Sequence, residues 1–183
     1  MTNPTLYLIR HATPDWSRTD IPYHIPPGPS LTPQGEEEAR ELARFLNEAG
    51  VGRLYSSPLE RCLSTAHIAA EQIGSTVEVD SGLTEWAPNE KSEVVHARLW
   101  PIWERAVAAA ESGPVALITH GGPIALLLAE LGLTPEAINH YKRIFDRNNP
   151  LPPAGAWQAA RNGEGWALNL AFTPEAYRAK LFV

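Results

Sequence analysis

The dipeptide Arg10-His11 closes the apolar run Leu6-Tyr7-Leu8-Ile9 and leads into a loop, with no carboxylate within three residues. Such a pair suggests an anion held beside an imidazole, because a guanidinium offers oxyanions a planar fork of donors. Three other positions share this logic. His120 ends a second apolar run, Val115-Ala116-Leu117-Ile118-Thr119, and Gly121-Gly122-Pro123 follows it. Arg61 falls in the first turn of an expected helix, where a cation opposes the dipole unless an anion binds there. Glu85 follows an expected strand, with Leu83 two residues before it and Trp86 directly after. A carboxyl against apolar surface has a raised pKa, as a general acid requires.

In an open α/β sheet the strand ends that carry ligands share one edge. Arg10, Arg61 and His120 can then surround a phosphate whose phosphorus faces His11. That suits phosphoryl transfer to histidine, with the arginines neutralising the equatorial oxygens and helping to keep the imidazole neutral. The plainer readings are a surface Arg-His pair, an exposed Arg61 and a loop Glu85 paired with an arginine. The Gly-Gly turn lets backbone approach a ligand closely, but the Lys-Ser/Thr ending of a P-loop is missing.

The elements expected to position these residues alternate. Strands are read at Thr5–Ile9, Arg53–Ser56, Thr76–Val79 and Pro114–His120. Thr32-Pro33 is an N-cap and first-turn signal for a helix ending at Gly50, with Ala39, Leu42, Ala43, Leu46 and Ala49 as its buried face. Ser57-Pro58 repeats that signal for the next helix, whose stripe includes Cys62, Ala66 and Ala69. A helix over 93–111 carries Pro101, expected to kink it or to separate two helices. Another helix is expected from Ile124 to Leu131. Helices from Pro135 and after Thr173-Pro174, and a hairpin around Asn162-Gly163, complete the chain. Between Pro14 and Ser30 a Pro-rich loop holds Tyr23 and His24, and is expected either at the rim of the site or as a rigid connector.

With 183 residues, one domain spanning 1–183 is the default. A net charge of −6 without a basic run argues against nucleic acid as a partner. A single cysteine, Cys62, excludes an intrachain disulfide and argues against a cysteine metal site. No signal-peptide pattern or membrane-length apolar run is read, so the expectation is a cytoplasmic protein with no membrane association. Oligomeric state leaves no trace in the pattern.

The motifs together resemble the histidine phosphatase superfamily, also called the phosphoglycerate mutase-like family. They are Leu8-Ile9-Arg10-His11-Ala12, Leu31-Thr32-Pro33-Gln34-Gly35, Ser56-Ser57-Pro58-Leu59-Glu60-Arg61-Cys62-Leu63-Ser64-Thr65-Ala66, Leu83-Thr84-Glu85 and Thr119-His120-Gly121-Gly122-Pro123-Ile124. They follow the family's order over roughly the first two-thirds of the chain. The resemblance implies a three-layer α/β/α fold with a mostly parallel central sheet and helices on both faces. It implies that His11 is the phosphorylated nucleophile, that Arg10, Arg61 and His120 form the phosphate pocket, and that Glu85 protonates the leaving oxygen and then activates water. No metal and no cofactor are implied. Gly121, Ser17, Tyr23 and His24 are expected to contact substrate, with Trp86, Asn89 and Arg147 as further candidates at the rim.

Some positions depart from the family pattern. Ala12 stands where a glycine is usual, placing a methyl beside the nucleophile and causing strain if φ is positive. Thr13 and Ser17 stand where phosphoglycerate-binding members carry Glu or Gln and Asn. The Arg-x-Gln-Gly segment of mutases is replaced by the Pro-rich loop, and the stretch from Glu85 to His120 is short. A small cover admits water and favours hydrolysis over return of the phosphate. The reading is a phosphatase acting on a small-molecule phosphomonoester, or on a phosphorylated protein. The alternatives are a phosphoglycerate mutase-type phosphotransferase, a phosphohistidine or phosphoprotein phosphatase, and a phosphate-binding regulatory module without turnover.

Overall fold

Residues 3–145 and 149–182 are described by a computed structural model. Their core is a six-stranded sheet. Strands β1 (Thr5–Arg10), β2 (Arg53–Ser56), β3 (Val77–Val79) and β4 (Val115–Thr119) precede the hairpin β5 (Ala156–Asn162) and β6 (Gly165–Phe172). The spatial order is β3-β2-β4-β1-β5-β6. The first four run parallel, while β5 pairs antiparallel with both β1 and β6. The expected α/β architecture is therefore present, with an antiparallel hairpin at one edge.

Alternation of side chains across the pleat sorts the core into two clusters. Tyr7, Ile9, Leu54, Ala116 and Ile118 face α1 (Pro33–Glu48) and α2 (Glu60–Ile73) through Leu42, Leu46, Ala66 and Ala69. Leu6, Leu8, Tyr55, Val115 and Leu117 face the other way, toward α3 (Ser92–Ala109), α4 (Gly121–Glu130) and α5 (Pro135–Ile144). Strands buried on both faces read as continuous apolar runs, which is why β1 and β4 stand out in the sequence.

Thr32 caps α1 as expected, its Oγ1 accepting from the Gly35 N–H at 3.0 Å. Thr134 caps α5 in the same way, and Gly163 (φ +60°) turns the hairpin. Three expectations are corrected. Ser57 does not cap α2; Leu59 takes the cap position in an extended conformation, and Ser57 turns to His120 instead. Pro101 does not separate two helices; α3 is continuous through it, with Val95, Leu99, Ile102, Trp103 and Ala106 burying one face on both sides. Helix α4 begins at Gly121 rather than Ile124, so the two glycines form its first turn.

Close backbone approach is most demanding at Gly35. A Cβ there would lie 2.2 Å from the Thr13 carbonyl oxygen and 3.1 Å from the Thr13 nitrogen. Gly→Ala inside a helix ordinarily stabilises by roughly 0.5–1 kcal/mol. Here the sign reverses: Gly35→Ala is expected to cost about 1–3 kcal/mol, read as a lower denaturation midpoint. Gly52→Ala, where a Cβ meets nothing within 4 Å, is the control and should stay within about 0.5 kcal/mol.

Candidate functional site

The predicted residues converge at the carboxyl ends of β1 and β4. The His11 N–H donates to the Thr119 carbonyl at 3.0 Å, and the His11 carbonyl accepts from the Ala154 N–H at 3.2 Å. This fixes the residue between the two central parallel strands and the segment before β5. His11 Nδ1 lies 2.8 Å from the Ala12 carbonyl. A carbonyl only accepts, so Nδ1 carries the proton and Nε2 keeps the lone pair.

The segment after His11 is tied down from two sides. The Ala12 N–H donates to Thr65 Oγ1 at 3.0 Å. The Thr13 N–H and Oγ1 both donate to the buried Glu38 carboxylate, at 2.9 Å each. Gln34 Nε2 and the Tyr177 hydroxyl complete the donors to Glu38 Oε1. The methyl of Ala12 causes no strain. Among the described residues Ala154 is the one non-glycine with positive φ, and Ala12 belongs to the apolar cluster that holds Ile9, Cys62 and Ala66.

Arg10 and Arg61 are both buried, as are His11 and His120. Arg10 Nη1 donates to the Leu151 carbonyl at 3.1 Å. Arg61 Nη1 donates to the Tyr23 carbonyl at 2.9 Å, and its Cζ lies 3.9 Å from the centre of the Tyr23 ring. Arg61 Nη2 is 3.3 Å from His120 Nδ1. Arginine can only donate, so His120 Nδ1 accepts, and His120 Nε2–H points at Ser57 Oγ, 2.9 Å away. Arg61 Nε is buried and has no hydrogen-bond partner among the described residues.

The Pro-rich loop thus reaches the site through Tyr23. It also caps α2, the Pro27 carbonyl accepting from the Glu60 N–H at 2.7 Å. Cys62 is packed beneath His120, its Sγ 3.4 Å from Nε2, and burial pushes its thiol up to about 12.

The electrostatics follow from burial beside fixed cations. His11 is held well below its ordinary pKa, first by loss of solvent, then by Arg61 and Arg10. His120 is lowered in the same direction, first by burial, then by His11, Arg61, Arg10 and Arg98. Glu85 is raised, chiefly by burial. Its Oε1 accepts from the Trp86 N–H at 3.0 Å, and its Oε2 lies 3.5 Å from His120 Nδ1. The site at rest therefore combines two neutral imidazoles, a carboxyl that holds its proton unusually well and two guanidiniums.

His11, Glu85 and His120 offer donor atoms all within 4.8 Å of one another, a set of metal-ligand types. Two guanidiniums flank them, and one already occupies His120 Nδ1. That field repels a divalent cation and attracts a tetrahedral oxyanion.

The cavity is about 310 Å³ and is lined by Arg10, His11, Trp16, Tyr23, Glu85, Gly121, Gly122 and Asn149. Of the expected contact residues, Gly121 and Tyr23 line it. Ser17 does not: it is exposed, and its hydroxyl and N–H both turn to Asp15 Oδ1. His24 is exposed beside Tyr23 and is not part of the lining. Trp86 packs behind Gly122, Asn89 is exposed, and Arg147 lies outside the described residues.

Trp16 and Asn149 were not anticipated. Asn149 is far from the motifs in sequence and arrives because β5 pairs with β1. A Cβ on Gly121 would fall 1.5 Å from Asn149 Oδ1, so this glycine is what admits Asn149. Arg61→Lys removes the fork that spans Tyr23 and His120, so inorganic phosphate should bind about tenfold or more weakly. Ser17→Ala should leave the affinity within about twofold. Calorimetric titration with phosphate checks both.

Comparison with known proteins agrees with this geometry. Residues 6–91 match the model of the histidine phosphatase superfamily (branch 1). A 2,3-bisphosphoglycerate-dependent phosphoglycerate mutase of Treponema pallidum is 33% identical over 102 residues, 51% of this chain and 34% of the mutase. A Hydrogenobacter thermophilus protein, provisionally named phosphoserine phosphatase 2, is 35% identical over 85 residues, 46% of this chain and 41% of that protein. The matches thus span less than half the length of these curated relatives. A mycobacterial glucosyl-3-phosphoglycerate phosphatase, solved with vanadate, superposes with TM-score 0.72 at 25% identity, over 91% of this chain and 98% of the other. Bacillus stearothermophilus YhfR superposes at 0.75 and 20% identity, over 95% and 99%, which is a likeness of fold alone. Motifs, family model and fold all point to the histidine phosphatase superfamily, whose model the chain matches over residues 6–91.

Proposed function

We propose that this chain is a phosphatase that hydrolyses a small phosphomonoester through a phosphohistidine on His11. The observation that carries the reading is the state of His11. Its Nδ1 proton is committed to the Ala12 carbonyl, its pKa is depressed, and its ring lines a cavity beside two buried guanidiniums. A neutral imidazole with a free Nε2 lone pair needs no further activation to attack phosphorus.

In the first step Nε2 forms a bond to phosphorus as the bond to the ester oxygen breaks. Arg10, Arg61 and His120 hold the three non-bridging oxygens, and the Arg61 Nε–H, without a partner among the described residues, adds a donor. The Glu85 carboxyl gives its proton to the departing oxygen. In the second step the Glu85 carboxylate takes a proton from water as that water attacks phosphorus, releasing phosphate and free His11. Binding of a phosphate dianion cancels much of the arginine field on His120, so the imidazole can accept a proton and donate from Nδ1.

Hydrolysis is favoured over mutase chemistry by the lining. Among the described residues around the cavity, Arg10 is the one cation, with Arg61 behind it. Both belong to the phosphoryl group, so among the described residues a substrate carboxylate finds no further cation there. Trp16 and Tyr23 instead offer aromatic walls to an uncharged leaving group. Transfer of phosphate between phosphoglycerates would reverse this preference.

Hydrolysis of p-nitrophenyl phosphate tests the mechanism. Turnover should resist a metal chelator and fall by about three or more orders of magnitude in His11→Ala. Undiminished turnover in that variant would sink the reading.

The pH profile tests Glu85. His11 is depressed, so the nucleophile stays neutral until well below pH 6.5 and the acid limb lies low. Glu85 is raised, so the protonated acid persists above the usual carboxylate range, and kcat/KM falls as pH rises through its pKa. Glu85→Gln should lower kcat/KM for an alkyl phosphate by about 10²–10⁴ and remove that alkaline limb. The substrate's own ionisation is common to both proteins.

A further inference from the structure

We propose that Arg98, which does not line the cavity, is a positioning residue that sets the backbone of Glu85 for proton transfer to the leaving oxygen. The inference rests on the reading of Glu85 as the acid. The segment from Thr84 to Lys91 belongs to no helix or strand. Something other than a ladder must therefore hold the acid in place.

Arg98 supplies it from helix α3. Its Nη1 donates to the carbonyls of Gly82 (2.6 Å) and Thr84 (2.9 Å). Its Nη2 donates to the carbonyl of Glu85 itself (3.1 Å) and to Glu90 Oε2 (2.9 Å). Its Nε donates to Glu90 Oε1 at 2.7 Å. A guanidinium has five N–H donors, and these bonds use the full complement.

The partners bracket Glu85 on both sides. Glu90 passes the grip on by accepting from the Ala87 N–H at 3.1 Å, while its carbonyl takes Trp86 Nε1–H at 2.7 Å. The Trp86 N–H then fixes Glu85 Oε1, leaving Oε2 toward His120. The contact with α3 is flush: a Cβ on Gly82 would meet the Arg98 carbonyl oxygen at 2.4 Å. Arg98 and Glu90 side chains are only 19% and 15% exposed, so this is no loosely solvated surface pair. Lysine has the charge but lacks the planar fork.

Leaving-group dependence separates positioning from general support. p-Nitrophenolate departs without a proton, whereas an alkoxide needs one from Glu85. The ratio kcat/KM reports everything through cleavage of the P–O bond. Arg98→Met should lower kcat/KM for a simple alkyl phosphate about 10–100-fold, and for p-nitrophenyl phosphate about threefold or less. Arg98→Lys should fall close to Arg98→Met. Inorganic phosphate should bind all variants with unchanged affinity, because Arg10, His11, Arg61 and His120 are untouched. Should Arg98→Met not fold, Glu90→Gln loosens the fork while keeping its carbonyl bonds, and the same preference should appear in smaller measure.

Equal losses for the two substrates, or none, would overturn the inference. Glu85→Gln run alongside separates the two claims. If it discriminates between the substrates and Arg98→Met does not, Arg98 is structural only. If Glu85→Gln itself fails to discriminate, Glu85 is not the acid, and the role given to Arg98 falls with it.

Discussion

The site depends on a guanidinium buried with no carboxylate bonded to it among the described residues. Arg61 is fully enclosed, and its hydrogen-bond partners among the described residues are the Tyr23 carbonyl and the His120 imidazole. Burying a charge is costly unless it is paired. The fold offsets part of that cost with a ring face and two acceptors, and leaves Nε unsatisfied. The remainder is returned when an anion enters. The same field holds His11 and His120 neutral, so in the proposed mechanism one cation both recruits a phosphoryl group and keeps its acceptor nucleophilic.

The rest of the molecule can be understood as support for that imbalance. The parallel strands β1 and β4 end side by side, which puts His11 and His120 rings 5.2 Å apart. Helix α2 begins where its second residue, Arg61, enters the site, and the Pro-rich loop closes over it with Tyr23 and caps the helix through Pro27. Thr65 and Glu38 hold the segment after the nucleophile, each from a helix on the same face. None of these contacts is strong alone. Together they fix the distances among charged groups where small displacements matter most.

Much of this was legible in the sequence because the relevant signals are local. Continuous apolar runs gave β1 and β4, the Thr32-Pro33 pair gave the start of α1, and strand ends placed His11 and His120. Where local and long-range terms compete, the reading went astray. Ser57 carries an N-cap signal, yet a buried imidazole needs an acceptor more than the helix needs that cap. Pro101 costs α3 a backbone bond, yet the buried face on both sides keeps the helix continuous through it. Ser17 and His24 lie in an irregular loop, where no periodicity says which way a side chain turns; Asp15 captured the first. Asn149 left no signal because it reaches the cavity through the pairing of β5 with β1. Arg98 was silent for a related reason: an arginine in an amphipathic helix reads as surface until the loop it grips is placed.

The central claim is that the phosphoryl group rests on His11. Rapid quenching of the enzyme during turnover of an aryl phosphate, followed by peptide mass spectrometry under alkaline conditions, tests it most directly. The account predicts an acid-labile phosphate on the peptide containing His11, formed as fast as the aryl alcohol is released and lost on further incubation with water. Steady turnover with no phosphorylated peptide, or with the phosphate on another residue, would contradict it.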